Sequence, residues 1–143
     1  MDTSTPARPL NVLVVDDNTD AAASLAECLR IAGHDVAVAW NGQDALEAAR
    51  ESPPEVVLLD LGMPCMNGFE TAHRFREDPA TRSAVLVAVT GWGSDDDRRR
   101  TQAAGFARHL VKPVDPAVVV ELLRELAGDP AAASPGPARA AGQ

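Results

Sequence analysis

The sequence predicts a doubly wound α/β domain: five parallel strands with helices on both faces. Short aliphatic runs alternate five times with amphipathic stretches, which is the signature of repeated β–α units. Three of the runs are almost continuously apolar, as expected of strands covered on both faces. The stretches between them run about 8 to 15 residues, an ordinary helix length.

The first strand is predicted at residues 11–16 (NVLVVD) and the first helix at about 18–32, with Ala22, Leu25, Leu29 and Ala32 on one stripe and Gly33 as the C-terminal glycine. The second strand is 35–39 (DVAVA). The second helix, about 42–51, follows Asn41 as N-cap and turns Ala45, Leu46 and Ala49 inward. The third strand is 55–60 (EVVLLD) and the third helix about 68–77. The fourth strand is 85–90 (VLVAVT), and its helix, about 94–104, opens on Ser94 with Asp97 three residues later, close to a capping box. The fifth strand is 107–111 (ARHLV). Asp115-Pro116 supplies a cap and a first-turn proline for the fifth helix, about 116–127, with Val119, Val120, Leu123 and Leu126 inward. Right-handed crossovers and five strands favour the flavodoxin-like order 2-1-3-4-5. Residues 1–9 read as a flexible lead, 10–127 as the folded domain, and the Ala/Pro-rich stretch 128–143 as a disordered tail.

Composition narrows the function. Hydrophobic residues make up 45% but aromatics only 3%, so Val, Leu and Ala must build the core. The formal charge of −8, from 13 basic and 21 acidic residues, argues against nucleic-acid and anionic-membrane partners, both of which want a basic surface. Cys28 and Cys65 form no metal-type cluster and read as free thiols in a reducing compartment. No apolar run reaches membrane-spanning length and no signal core opens the chain, so a cytoplasmic location is expected.

Folds of this class place their sites at the carboxyl ends of the strands. There the first strand delivers Asp16 and Asp17, the third Asp60, the fourth Thr90, and the fifth Lys112-Pro113, while the second ends in Ala39-Trp40 and adds no polar group. Three converging carboxylates repel one another and raise each other's pKa values. A hard divalent cation relieves that repulsion, and an all-oxygen donor set suits Mg²⁺, with Mn²⁺ as an alternative. One carboxylate can then act as a nucleophile toward a phosphoryl donor. The lysine ammonium stabilises the charge on the transferred group, and a threonine hydroxyl donates to the product.

The segments VLVVDDN, VVLLDLGMPCMNG, VAVTGWG and HLVKPVD resemble the receiver domain of two-component response regulators, the CheY-like family, in order and spacing across about residues 11–127. The resemblance implies that Asp16 and Asp17 hold Mg²⁺, that Asp60 is the phosphoacceptor and that the backbone carbonyl of Gly62 completes the metal shell. It implies that Thr90 turns toward the phosphoryl, that Lys112 pairs with acceptor and phosphate, and that the Lys112–Pro113 peptide is cis. It further implies a histidine kinase or phosphotransfer protein as donor, an unidentified protein as target, and at most self-catalysed phosphorylation and dephosphorylation rather than enzyme turnover. No pattern of an output module follows residue 127, so the output is expected through protein contact or onward relay. Two positions modify the family pattern. His109 stands three residues before the lysine, where the family usually has Tyr or Phe as a switch, and Trp92 stands where the family tunes phosphoryl lifetime and partner contact.

Taken singly these residues are ordinary: Asp-Asp after a strand is commonly a cap or turn, Thr90 a β-branched strand residue, Lys112 a solvated lysine. His109 reads as a packed ring rather than a base, and His34 and His73 as surface residues. The run Asp95 to Arg100 reads as a solvated helix face, with acids in the first turn and i,i+4 pairs Asp95–Arg99 and Asp96–Arg100. Three rivals stand beside the main reading. A pseudo-receiver would be a pure interaction module. A Mg²⁺-dependent aspartyl-phosphate phosphatase wants an acid two residues after the nucleophile, where this chain has Gly62. A flavin binder wants a phosphate-cradling first loop, and here that loop is acidic.

Overall fold

The computed structural model describes residues 9–63, 68–91 and 95–128, with Asp95 and Asp96 described in backbone only. The elements alternate as β1 (Asn11–Val15), α1 (Thr19–Ile31), β2 (Asp35–Ala39), α2 (Gly42–Glu51), β3 (Val56–Asp60), α3 (Gly68–Glu77), β4 (Val85–Thr90), α4 (Asp95–Ala103), β5 (Arg108–Val111) and α5 (Pro116–Gly128). The strands form one parallel sheet in the order β2-β1-β3-β4-β5, as the sequence predicts.

Period-two alternation along each strand divides the core into two layers. Val12, Val14, Leu58, Val87 and Val89 pack with Ala22 and Leu29 of α1 and Val119 and Leu123 of α5. Leu13, Val15, Leu59, Leu86 and Ala88 pack with Leu46 and Ala49 of α2 and Ala72 and Phe75 of α3. The central strand β3 is buried along its whole length. Each fully buried Leu or Val contributes about 1.5–3 kcal/mol, so this one strand anchors the register of the sheet. In α1, Ala26 rather than Ala32 completes the buried stripe: Ala32 is the C-cap and lies exposed.

The termini of the helices are held as their sequences suggest. Asn18 accepts from the Ala21 amide at 3.0 Å, Asn41 from the Asp44 amide at 2.8 Å, and Asp115 from the Ala117 amide at 2.9 Å. Gly33, at φ +106°, closes α1 with the paired bonds Gly33 N–H to Arg30 O and His34 N–H to Leu29 O. Gly105, at φ +97°, closes α4 in the same way, through Gln102 O and Thr101 O.

Some local expectations need correction, and others fall outside the described residues. His34 is buried, not a surface residue: its Nδ1 accepts from the Leu10 amide at 3.1 Å, and burial pushes its pKa down. His73 is exposed as expected and lies 3.2 Å from Glu77. Arg100 sets its guanidinium 4.8 Å from the centroid of the Phe69 ring, a cation–π contact that the charge pattern of α4 does not reveal. Trp92, the Ser94 cap, Cys65, residues 1–8 of the lead and the tail beyond Gly128 lie outside the described residues. Among the described residues no helix is long and apolar enough to cross a membrane.

Candidate metal centre

Parallel pairing brings the strand ends to one rim. Asp16 follows directly on β1 and its amide still donates to Ala39 O of β2 at 3.1 Å, so it holds the line of the sheet. Asp60 ends β3 and pairs with Val89 of β4. Thr90 is one position further along β4 and pairs with Val111, next to Lys112. The Lys112 amide donates to Thr90 O at 2.7 Å, and the Lys112–Pro113 peptide is cis.

Carboxylate oxygens of Asp16, Asp17 and Asp60 lie within 4.8 Å of one another; among the described residues this is the one such cluster. Asp60 is 4% exposed and is buried at the floor of the hollow, Asp16 is half-buried, and Asp17 is exposed. Both oxygens of Asp60 are held: the Gly62 amide donates to Oδ1 at 2.9 Å, and the Lys112 ammonium donates to Oδ2 at 3.1 Å. The same ammonium lies 3.6 Å from Asp16 Oδ2. Asp16 is oriented from the other side by the Asn18 amide, which donates to its Oδ1 at 2.9 Å. Asn18 thus caps α1 and fixes a cluster carboxylate, a double role that the Asp-Asp-Asn spacing alone does not single out.

The electrostatics follow from this packing. Burial raises the Asp16 carboxyl above its ordinary value and the Asp60 charge adds to the rise, against the opposing Asn18 amide and Lys112 ammonium. Burial works to lower the Lys112 ammonium, but its hydrogen bond and charge interaction with Asp60, then Asp16, outweigh that and raise it. One ammonium therefore faces three acids, a residual negative charge walled by oxygen donors. That donor set fits a small hard divalent cation.

Gly68 sets the floor from below. A Cβ there would meet Leu61 Cδ2 at 2.5 Å, Leu61 Cα at 2.7 Å and Asp60 O at 2.8 Å, so the start of α3 presses on the backbone that carries Asp60. Thr90 is buried at the end of β4. His109 is partly buried on β5 and lies toward α4, with Nδ1 3.2 Å from Thr101 Oγ1. The Thr101 hydroxyl also donates to Arg98 O at 2.9 Å within α4.

The chain matches the family described as the response regulator receiver domain over residues 12–124. It is 35% identical to protein PilH of Pseudomonas aeruginosa, over 73% of this chain and 86% of PilH. It is 26% identical to the polar-differentiation response regulator DivK of Brucella anthropi, over 85% of this chain and 98% of DivK. Among solved structures, the chemotaxis protein CheY4 of Vibrio cholerae superimposes with a TM-score of 0.77 at 28% identity, over 82% of this chain and 98% of CheY4.

Proposed function

Because the chain belongs to the response-regulator receiver family of two-component signalling, we propose that it takes a phosphoryl group onto Asp60 from a histidine kinase or phosphotransfer protein and so switches a protein-contact face or relays the group. The observation that carries this reading is the buried Asp60 carboxylate, held by Lys112 at 3.1 Å inside a cluster with Asp16 and Asp17. We take residues 10–127 as the receiver unit, acting in the cytoplasm.

Asp16, Asp17 and Asp60, with the Gly62 carbonyl, would hold Mg²⁺, and Mn²⁺ suits the same donors. When bound, such an ion supplies charge neutralisation for the acids and for the phosphoryl oxygens in transfer. An oxygen of Asp60 attacks the phosphorus of a phosphohistidine; the O–P bond forms as the N–P bond breaks, and the imidazole leaves with its electron pair. Lys112 moves its pairing from the carboxylate to the phosphoryl oxygens, which carry the charge spread during transfer. The Thr90 hydroxyl donates to a phosphoryl oxygen from the neighbouring strand end. The acceptor carboxylate is held by the Gly62 amide, and the backbone that carries it by the close approach of Gly68. Shifting the chain from mostly off to mostly on needs about 5.5 kcal/mol of differential interaction, within reach of a new dianion beside an ammonium.

Incubation with phosphoramidate and Mg²⁺ tests the assignment. The wild type is expected to gain one phosphoryl per chain by intact mass, and Asp60→Asn to gain none. Full labelling of Asp60→Asn would overturn it.

A further inference from the structure

We propose that Trp40 is a donor-docking residue: its exposed indole, at the end of β2 beside the acid cluster, seats on the protein that carries the phosphohistidine. This rests on the phosphoacceptor reading above. Asp60 is 4% exposed, so a donor that reaches it must set its own surface on the surrounding rim. A specific interface covers about 800 Å² on each partner, a disc roughly 16 Å in radius. In the order β2-β1-β3, Trp40 stands two strands from Asp60, about 10 Å at a spacing of ~4.8 Å per strand. Val15 pairs with Ala39, and the Asp16 amide donates to Ala39 O, so Trp40 is the next rim position beyond that bond. A footprint of ordinary size centred on Asp60 extends past the backbone of Trp40.

Trp40 is 52% exposed and is the largest of the exposed apolar side chains among the described residues. It is presented from a rigid turn. Ala39 before it is buried, and Asn41 after it accepts from the Asp44 amide at 2.8 Å and donates to the Asp44 carboxylate at 3.0 Å. A large aromatic on a fixed backbone loses little conformational freedom when covered, the property that makes tryptophan a frequent interface anchor. Val111, 39% exposed at the end of β5, lies two strands from Asp60 on the opposite flank, so apolar surface brackets the acids. Asp17, exposed in the acid cluster, and Asp44, four residues after Trp40 in the first turn of α2, make this end of the sheet acidic. The complementary donor face is an apolar seat with basic residues around the phosphohistidine.

The test compares two donors on Trp40→Ala and Trp40→Phe. One donor is phosphoramidate, which needs no surface. The other is a phosphorylated histidine-phosphotransfer domain, taken from a panel from the same genome, that labels the wild type. Trp40→Ala is expected to lose about tenfold or more in kcat/KM with the protein donor, mainly through KM, and to match the wild type with phosphoramidate. Trp40→Phe is expected to recover part of the loss. Unchanged transfer from the protein donor would overturn the proposal, as would a parallel loss with both donors, which would make Trp40 a support of the site. A wild type labelled by phosphoramidate but by no member of the panel overturns the docking role alone. A wild type that phosphoramidate cannot label overturns the phosphoacceptor reading instead, and the docking role with it.

Discussion

Gly68→Ala is the substitution for which the structure gives the sharpest expectation. Alanine favours a helix interior over glycine by about 1 kcal/mol, so propensity alone predicts a gain. Space decides otherwise. The new Cβ would sit 2.7 Å from Leu61 Cα and 2.8 Å from Asp60 O, whereas nonbonded carbons settle near ~3.5–4.0 Å. Relief takes a displacement of about 0.8 Å between the start of α3 and the end of β3. The two opposing contacts are backbone atoms, one at the end of a strand buried along its whole length and one on the residue after it, so rotamer changes cannot absorb it. Overpacking of this kind costs about 1–3 kcal/mol, and the propensity gain is small at the first helical residue, so a net loss of about 2 kcal/mol is expected. For a domain of this size that is a fall in Tm of roughly 6–10 °C. Urea and thermal unfolding followed by circular dichroism measure it, with Gly62→Ala as the control. A Cβ at Gly62 meets only Asp60 Oδ1, at an ordinary 3.6 Å, so its effect should stay within about 0.5 kcal/mol. Phosphoramidate labelling of Gly68→Ala should also slow, because the displaced atoms carry Asp60. Stability of Gly68→Ala within 0.5 kcal/mol of the wild type would refute the close-approach argument.

Lys112→Met removes the ammonium from both Asp60 and Asp16; phosphoramidate labelling should fall at least about tenfold, while Mg²⁺ affinity, read by titration of tryptophan emission, should hold or rise because a competing cation is gone. A drop in Mg²⁺ affinity would count against that competition. His34 is depressed by burial, so the folded chain binds fewer protons than the unfolded chain below about pH 6.5. Its contribution is complete above that pH and is lost as pH falls toward the folded pKa, at no more than about 1.4 kcal/mol per pH unit. His34→Asn should flatten the slope of unfolding free energy over that window, and an unchanged slope would show that His34 does not set it. Arg76 donates to the carbonyls of Arg82, Ala84 and Gly105 at 2.7, 3.1 and 2.7 Å, tying α3 to the approach to β4 and to the turn after α4. Arg76→Lys keeps three N–H donors but lacks the fork that lets Nη1 and Nη2 reach separate carbonyls, and should lower stability by about 1–2 kcal/mol, read as a lower urea midpoint at constant m-value.

What the sequence determined by itself was the order and kind of the elements and which strand ends carry chemistry. Period-two runs such as NVLVVD and EVVLLD are local, and so are caps such as Asn41 and Asp115, so each announces itself within a few residues. The rule that parallel sheets gather their carboxyl ends on one rim then places Asp16, Asp17, Asp60, Thr90 and Lys112 together before any coordinate is known. Tertiary structure alone decided how those groups meet. That Lys112 reaches two carboxylates, that Asp60 is the buried one, and that Asp16 is raised by burial depend on crossovers that bring Lys112 to Asp60, 52 residues away, and to Asp16, much further back along the chain, for which no local pattern exists. Burial of His34 against Leu10, the cation–π contact of Arg100, the Thr101–His109 bond and the tight seat of Gly68 under Asp60 are likewise tertiary, some of them between elements adjacent in the chain. They are contacts between segments that only the packed sheet brings within reach, where distance and desolvation, not residue type, set the energy.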